Sequence, residues 1–522
     1  MKRHWIVPLL VVASACIISR GVTVSRVERP TQDGDTLVVR TPVKAHLIDG
    51  SSVLFRRGIE ISRDRVWSVG GGMWYDVTRR DSAVVAAVPM DSVVGIETYQ
   101  THVNPVQTIV YSTLTQAVIV VGAFAIACAM DPKCFGSCPT FYADSAGTPV
   151  LEAEGFSYSI AQLFEARDVD RLRFPPDANG VLRLEVRNEA FETHFINHLE
   201  LLEVRHGPDE VALPDERNQP FVVAQVTPPI RAVNRIGQDV RRRLADADGD
   251  AYRTPGSVLA QAGGNDTDDW IDLTIQPPVG DSIALVFRLR NSLLNTILLY
   301  DIMLGDPGAR SLDWVGHDLG QVGPAVELAQ WYQRRMGMNV AVLDHGTWRT
   351  VAHLKDTGPV AWKDVAIVVP VLDPNRVRIR LRFPADNWRI DRLAVARRFR
   401  RLPHGPTVHR LSIVRDALGR VDSVAAASMA AADDRYLEVE SGRFLTAEFQ
   451  AGAPLAGDSM RTFFLGSQGY YTEWVRNGWL RAPRANRTFT PSDTALVEAI
   501  HRWRTTQDTL EARFMATRVP VR

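Results

Sequence analysis

Apolar and polar positions alternate in short bursts along most of this chain, and the period changes in few places. Between Asp35 and Glu97 the bursts TLVVRT, VKAHLI, SVLFRR, AVVAAV and VVGIET follow a period of two, which places apolar side chains on one face of a strand. Asp49-Gly50, Arg57-Gly58 and the run Gly70-Gly71-Gly72 separate them as turn signals. Connections this short predict a small antiparallel barrel or curled sheet over residues 35–100. Val106 to Met130 breaks the pattern, with no charge before Asp131. At ~1.5 Å per helical residue it can match a ~30 Å hydrocarbon layer. Gln107, Thr108, Ser112, Thr113, Thr115 and Gln116 weaken the first half, and small residues from Gly122 to Ala129 suit close packing. One apolar, membrane-associated helix over 106–130 is expected; a full span and a buried packing helix compete with it.

Strand-like bursts return after Pro139, and helical periodicity is scarce up to Pro370 except at Val326 to Met336. One pattern repeats. Leu182-Arg-Leu-Glu-Val-Arg-Asn188 precedes a second burst from Ala190 to Ile196, and Leu285-Val-Phe-Arg-Leu-Arg-Asn291 precedes one from Leu293 to Leu299. A third copy runs from Val377 to Phe383 and from Trp388 to Ala396. Each reads as strand, short connection, strand, which predicts two or three β-sandwich-type domains in series over residues 135–305 and 306–480. Near the end Ala495, Leu496, Ala499, Ile500, Trp503 and Leu510 recur at helical spacing behind the capping stretch Thr490-Pro-Ser492-Asp493, so a C-terminal helix is expected over 490–518. The fold class is mainly β: a small N-terminal barrel-like module, one apolar helix, the sandwich array and a terminal helix.

Composition changes this picture in two ways. Lysine plus arginine and aspartate plus glutamate both total 60 of 522 residues, so no overall basic field gathers nucleic acid, and that class of partner is set aside. The start, MKRHWIVPLLVVASAC, has a basic end, a short apolar core and small residues before a cysteine, the order of an export signal. Residues 1–15 read as a signal peptide, 16–34 as a linker. Ala13-Ser14-Ala15-Cys16 resembles a bacterial lipobox, which implies acylation of Cys16 and anchorage to membrane lipid; ordinary cleavage after Ala15 is the alternative. The expected location is the bacterial cell envelope, with most of the chain periplasmic or surface-exposed.

Candidate chemistry is sparse. Cys128, Cys134 and Cys138 lack zinc spacing and suit a disulfide, either Cys134 with Cys138 or Cys128 with Cys134. Glu192, His194 and His198 share a strand face by parity, which would turn two imidazoles and a carboxylate toward one metal. Asp246-Ala-Asp248-Gly-Asp250 resembles the start of a calcium loop, although Ser257 stands where such a loop needs glutamate; no bound cofactor is expected, and calcium at this loop is the alternative. Gly70 to Gly72 lacks the Lys-Ser/Thr of a phosphate cradle, and Ser467 lacks a nucleophile-elbow context. Trp270, Trp348 and Trp474 are candidates for stacking on sugars. Arg397, Arg398, Arg400 and Arg401 form a basic run, read first as a solvated loop.

Several short motifs together resemble a β-rich region of bacterial envelope proteins, also found behind ASPIC/UnbV or tetratricopeptide repeats. They are Phe135-Gly-Ser-Cys-Pro-Thr-Phe-Tyr142, Glu192-Thr-His-Phe-Ile-Asn-His-Leu199, His206-Gly-Pro208, Asp215-Glu216, Asp269-Trp270, Asp391-Arg-Leu-Ala-Val-Ala396, Asp433-Asp-Arg-Tyr436 and Phe463-Phe-Leu-Gly466. The resemblance spans residues 135–480 and implies no catalytic residue. Where relatives carry a Gly-Asp-Gly-Trp turn, this chain has Gly466-Ser-Gln-Gly469-Tyr470-Tyr471. The resulting expectation is a membrane-anchored envelope protein with a structural or binding role. A carbohydrate-binding protein and a metal-dependent hydrolase are the alternatives, and an envelope protein or polysaccharide is the expected partner.

Overall fold

The computed structural model describes residues 31–33, 36–77, 79, 81–98, 138–263, 266–276, 280–375, 377–453, 459–481, 489–516, 519 and 521. Cys16, Cys128, Cys134 and the 106–130 stretch lie outside them. Among the described residues no helix is long and apolar enough to cross a membrane.

The chain is mainly β, as its alternation requires. Every expected N-terminal burst forms a strand: Thr36–Val39, Val43–Leu47, Ser52–Phe55, Ser82–Pro89 and Val93–Thr98. With Thr31–Asp33, Ile59–Ile61 and Arg65–Tyr75 they make one sheet, sheet I, whose far edge is completed by Val475–Arg476 from the other end of the chain. Gly70-Gly71-Gly72 does not separate strands. It lies inside Arg65–Tyr75, where Gly70 and Gly71 take φ of 98° and 76° and the pairing with Ser82–Pro89 slips between Trp67 and Gly72. Glycine admits these angles at little cost, so the run bends the strand as a bulge.

The next two layers form a sandwich. One, sheet II, holds Thr148–Glu154, Thr140–Ser145, Val181–Arg187 and Phe444–Gln450; the other, sheet III, holds Glu192–His206, Met460–Glu473, Ala166–Arg171 and Leu437–Val439. Thr407–Arg415 belongs to both, pairing with Glu192–His206 through its first half and with Phe444–Gln450 through its second. Phe141, Leu184, Val186, Leu199, Leu201, Val414, Phe449 and Leu465 fill the space between the layers.

A second sandwich occupies residues 210–401. Sheet IV runs Glu210–Pro214, Pro220–Thr227, Trp388–Arg401, Ser282–Asn291, Lys363–Pro370; sheet V runs Arg231–Asn234, Asp268–Ile275, Val377–Pro384, Met338–Asp344, Thr347–Leu354. Its core includes Ile271, Leu273, Leu285, Phe287, Ile367, Ile379, Leu381 and Trp388. This corrects the serial division at residue 305. The second sandwich is inserted between two strands of the first that pair with each other, Glu203 opposite Thr407. Alternation marks a strand but not its partner, because partner choice rests on contacts distant in sequence.

The repeated pattern also needs correction in its second copy. The first and third copies each hold two successive strands, Val181–Arg187 then Glu192–His206 and Val377–Pro384 then Trp388–Arg401, but the two strands of a copy cross between the layers of a sandwich and do not pair with each other. In the second, Ser282–Asn291 leads into Leu294–Thr296 and a wide-turned helix, Ile297–Gly305. Leu294, Ile297, Leu298 and Met303 are buried beneath sheet I with Trp314, Leu328 and Trp331. A short run that is apolar at both parities fits a buried helix as well as a strand. Ser311–Gly316, Val322–Arg335 and the C-terminal helix Asp493–Ala516 complete this cover; Leu496, Ala499, Ile500 and Trp503 contribute its inner stripe.

Candidate functional site

The outward face of sheet V gathers aromatic and cationic groups. In VRIRLRFP, Val377, Ile379, Leu381 and Phe383 turn into the sandwich core, which leaves Arg378, Arg380 and Arg382 on the opposite face. In DDWIDLTI, Ile271, Leu273 and Ile275 turn inward and Asp268, Trp270 and Asp272 outward. Register sets Asp272 opposite Arg380 and Trp270 opposite Arg382. Trp348 reaches the same face from Thr347–Leu354. The Arg380 guanidinium lies 5.0 Å from the Trp270 ring and 4.5 Å from the Trp348 ring. Arg235 lies 4.8 Å over Trp270, and Arg378 lies 5.7 Å over Trp348. Asp272 accepts from Arg380 Nε and Nη2 at 2.7 and 2.8 Å. Asp268 accepts from Arg382 Nε at 2.6 Å, and Asp266 pairs with Arg235.

Cation–π contacts contribute about 0.5–1 kcal/mol each at exposed sites. Two around the Arg380 guanidinium fix its plane, and Asp272 uses two of its five donors. The half-buried Trp270 and Trp348 therefore present a rigid array of flat cations and indoles. Trp474 takes no part. It is 5% exposed, its ring stacks on His46 at 3.5 Å, and its N–H donates to Thr193 Oγ1 at 2.9 Å. Trp474 lies in the seam with sheet I, a long-range contact that its local sequence does not reveal.

Beside this face lies a cleft of about 530 Å³ lined by Asn234, Gln238, Asp239, Arg242, Arg243, Arg253 and Thr254, among others. Tyr252 and Thr254 hydroxyls donate to Asp269 Oδ2 at 2.7 and 2.8 Å, fixing the back wall. Burial raises the Asp269 carboxyl above its ordinary range, against the pull of these donors.

Glu192, His194 and His198 are not brought together. The strand Glu192–His206 carries a bulge between Ile196 and His198, so the parity that joins Glu192 to His194 reverses before His198. His198 is half-exposed near Glu200, Arg167 and Arg410, whereas Glu192 and His194 are fully buried. Glu192 Oε1 accepts from the Cys138 N–H at 2.7 Å and lies 2.6 Å from His194 Nε2. Glu192 also faces Glu473 across the ladder, and Glu473 bonds Arg476 at 2.8 Å. Burial pushes Glu192 up to about 7 and Glu473 well above its usual range, and drives His194 down to about 3. These groups act as a sealed hydrogen-bond cluster at a seam.

Asp246, Asp248 and Asp250 are exposed; the Asp248 carboxylate accepts from the Asp250 N–H, and the Gly249 N–H donates to Asp391. Among the described residues, three metal-ligand side chains converge elsewhere, at Asp313, His317 and Asp318 on the helical cover, with ligand atoms within 4.8 Å of one another. Arg310 approaches Asp313 at 3.8 Å, and Gln321 bonds the His317 ring. Sequence reading missed this group, although Asp313 and His317 stand four apart, one helical turn. Ser467 is fully buried in Met460–Glu473. The run Arg397 to Arg401 is not a loop but the end of Trp388–Arg401, where Arg400 pairs with Glu210 and Arg401 with Asp215.

No protein-family model matches the chain, and no curated protein matches its sequence. Distant likenesses occur among solved structures. The isomalto-dextranase of Arthrobacter globiformis T6 complexed with panose aligns over 45% of this chain and 37% of that one, at 10% identity and a TM-score of 0.16. A GH31 alpha-xylosidase from Xanthomonas citri aligns over 84% and 32%, at 10% identity and 0.15. The cycloalternan-forming enzyme of Listeria monocytogenes in complex with a pentasaccharide aligns over 70% and 30%, at 10% identity and 0.17. The chain thus spans about a third of each of these structures, and TM-scores at this level assign neither a fold nor an activity.

Proposed function

We propose that this protein is exported, held at the cell envelope through acylated Cys16, and serves as a binding protein for an envelope polysaccharide rather than as an enzyme. The observation that carries the binding role is the Arg380 guanidinium set between Trp270 and Trp348 on the outward face of a sandwich sheet. Flat, prefixed donors and aromatic edges lose little freedom when a sugar ring docks. Among the described residues, no apolar cluster covers that face. A metal-dependent hydrolase through Glu192, His194 and His198 finds no support, because the bulge separates the third ligand and burial seals the first two.

Affinity electrophoresis of the full chain through gels containing different polysaccharides tests the binding role. Retardation is expected for the native protein and loss of most of it for Trp270→Ala combined with Trp348→Ala. No retardation at low or high salt overturns it. Mass spectrometry of the mature N-terminus checks the anchor: a diacylated or triacylated Cys16 is expected, and an unmodified residue there removes it.

A further inference from the structure

Resting on the polysaccharide-binding reading, we propose that the cleft beside sheet V is an anion subsite that makes the protein selective for an acidic polysaccharide, one bearing carboxylate groups. Three arginines line the cleft, Arg242, Arg243 and Arg253, together with Asn234 and Gln238, whose side-chain amides bond each other at 3.0 Å, and Thr254, whose hydroxyl is spent on Asp269. Arg253 is engaged by Glu511. Among the described residues, no carboxylate lies within ion-pair distance of Arg242 or Arg243, and both side chains are exposed. Asp239 is the one carboxylate in the described lining, and its Oδ1 already accepts from the Arg241 N–H at 2.9 Å. Asp246, Asp248 and Asp250 follow closely in sequence but do not line the cleft.

The arginines of the neighbouring face are mostly satisfied: Arg235 by Asp266, Arg380 by Asp272 and Arg382 by Asp268. That face fits the planes and hydroxyls of sugar rings without requiring charge. The cleft differs, because two guanidinium forks without a counterion match a carboxylate in the two-point geometry such groups prefer. The two surfaces adjoin in the chain. Asn234 lines the cleft, and the next residue, Arg235, lies over Trp270. A chain lying along Trp348, Arg380 and Trp270 is thereby led toward Arg242 and Arg243, where an acidic substituent finds its partners.

Two polymers of one backbone separate the claims: polygalacturonate and its fully methyl-esterified, uncharged form, titrated into the full-length protein by calorimetry at fixed ionic strength. The acidic polymer is expected to bind at least about tenfold tighter, the effect of roughly one charge-assisted contact. In Arg242→Ala combined with Arg243→Ala that ratio is expected to fall to about one. The double lysine variant keeps the charge and loses the fork, so its ratio is expected to lie between the two. Thermal melting of each variant checks folding, and the lysine pair supplies a reading if the alanine pair is damaged. Equal affinity for both polymers, or a ratio unchanged in the alanine pair and in the lysine pair, overturns the anion subsite and leaves polysaccharide binding standing. Binding to neither polymer overturns both.

Discussion

Glu438 lies in the seam between sheet I and the first sandwich, with neither carboxylate oxygen hydrogen-bonded among the described residues. Burial pushes it up to about 7, with Lys44 and Arg79 pulling down and Glu97 and Glu440 adding to the rise. Glu192, in the adjoining cluster, is also raised to about 7, chiefly by burial. A carboxyl raised in the folded state binds its proton more tightly there than in the unfolded chain, whose value is near 4.5. The stability it contributes is full below about 4.5 and is lost as pH rises through about 7. Glu210 moves the other way, to about 2, through Arg400, and Glu203 also falls to about 2, where bonds from Arg461, Arg205 and His409 outweigh burial. Their contributions are lost only below about 4.5, outside that window. His194, held down to about 3, pulls the other way up to its unfolded value of 6.5, so the carboxyl term is read as a difference between variants: replacing Glu438 by Gln should remove roughly 1–3 kcal/mol of the stability lost between pH 5 and pH 8. An identical pH dependence in the native protein and Glu438→Gln, at constant ionic strength, would refute this.

Strands and helices were legible where apolar positions kept one period over a whole element: the bursts of sheet I, the arginine-bearing strand Val377–Pro384 and the terminal helix Asp493–Ala516. Trp270 and Trp348 were legible only as residue types suited to stacking, on the same footing as Trp474, which lies buried. What stayed hidden were single-residue breaks and long-range pairings. A bulge after Ile196 leaves no mark in the apolar pattern until the partner strand is known, so parity alone puts His198 on the wrong face. The glycine run in Arg65–Tyr75 was visible, yet its role as a bulge rather than a turn depended on the strand beside it. At Gly72 the reason for glycine is space: an added Cβ would stand 2.6 Å from Phe55 Cε1 and Val53 Cγ1, both in fully buried side chains. Gly72→Ala should cost about 1–3 kcal/mol by forcing this core apart. Urea denaturation of Gly72→Ala measures that cost; a variant as stable as the native protein would mean that the packing around Gly72 is misread.

At the scale of the molecule, the inserted sandwich is bound to its host by a buried ion cluster as well as by apolar contact. Val169, Leu202 and Val204 of sheet III meet Ala212 and Val222 of sheet IV. Within this junction Lys363 Nζ, 8% exposed, pairs with Asp168 and reaches Asp170 at 3.1 Å. Burial raises Asp170 to about 7 despite the opposing pull of Lys363, with Asp168 adding to the rise. Burial alone would lower the lysine, but the two aspartates outweigh it and hold the ammonium charged. Removing one member of such a cluster costs more than the cluster as a whole contributes, because the remaining charges stay buried without compensation. Lys363→Met keeps the apolar stem and deletes the charge, so the expected loss near pH 8 is about 3–5 kcal/mol. The loss should shrink near pH 5, since an aspartate freed of its cation takes up a proton more readily and a neutral carboxyl is cheaper to bury. Adding Asp170→Asn to the lysine variant should recover part of the deficit at pH 8 by removing one of the two like charges. Denaturation at both pH values measures each step; a deficit of the same size at pH 5 and pH 8, untouched by Asp170→Asn, would show that Lys363 matters for its packing and not for its charge.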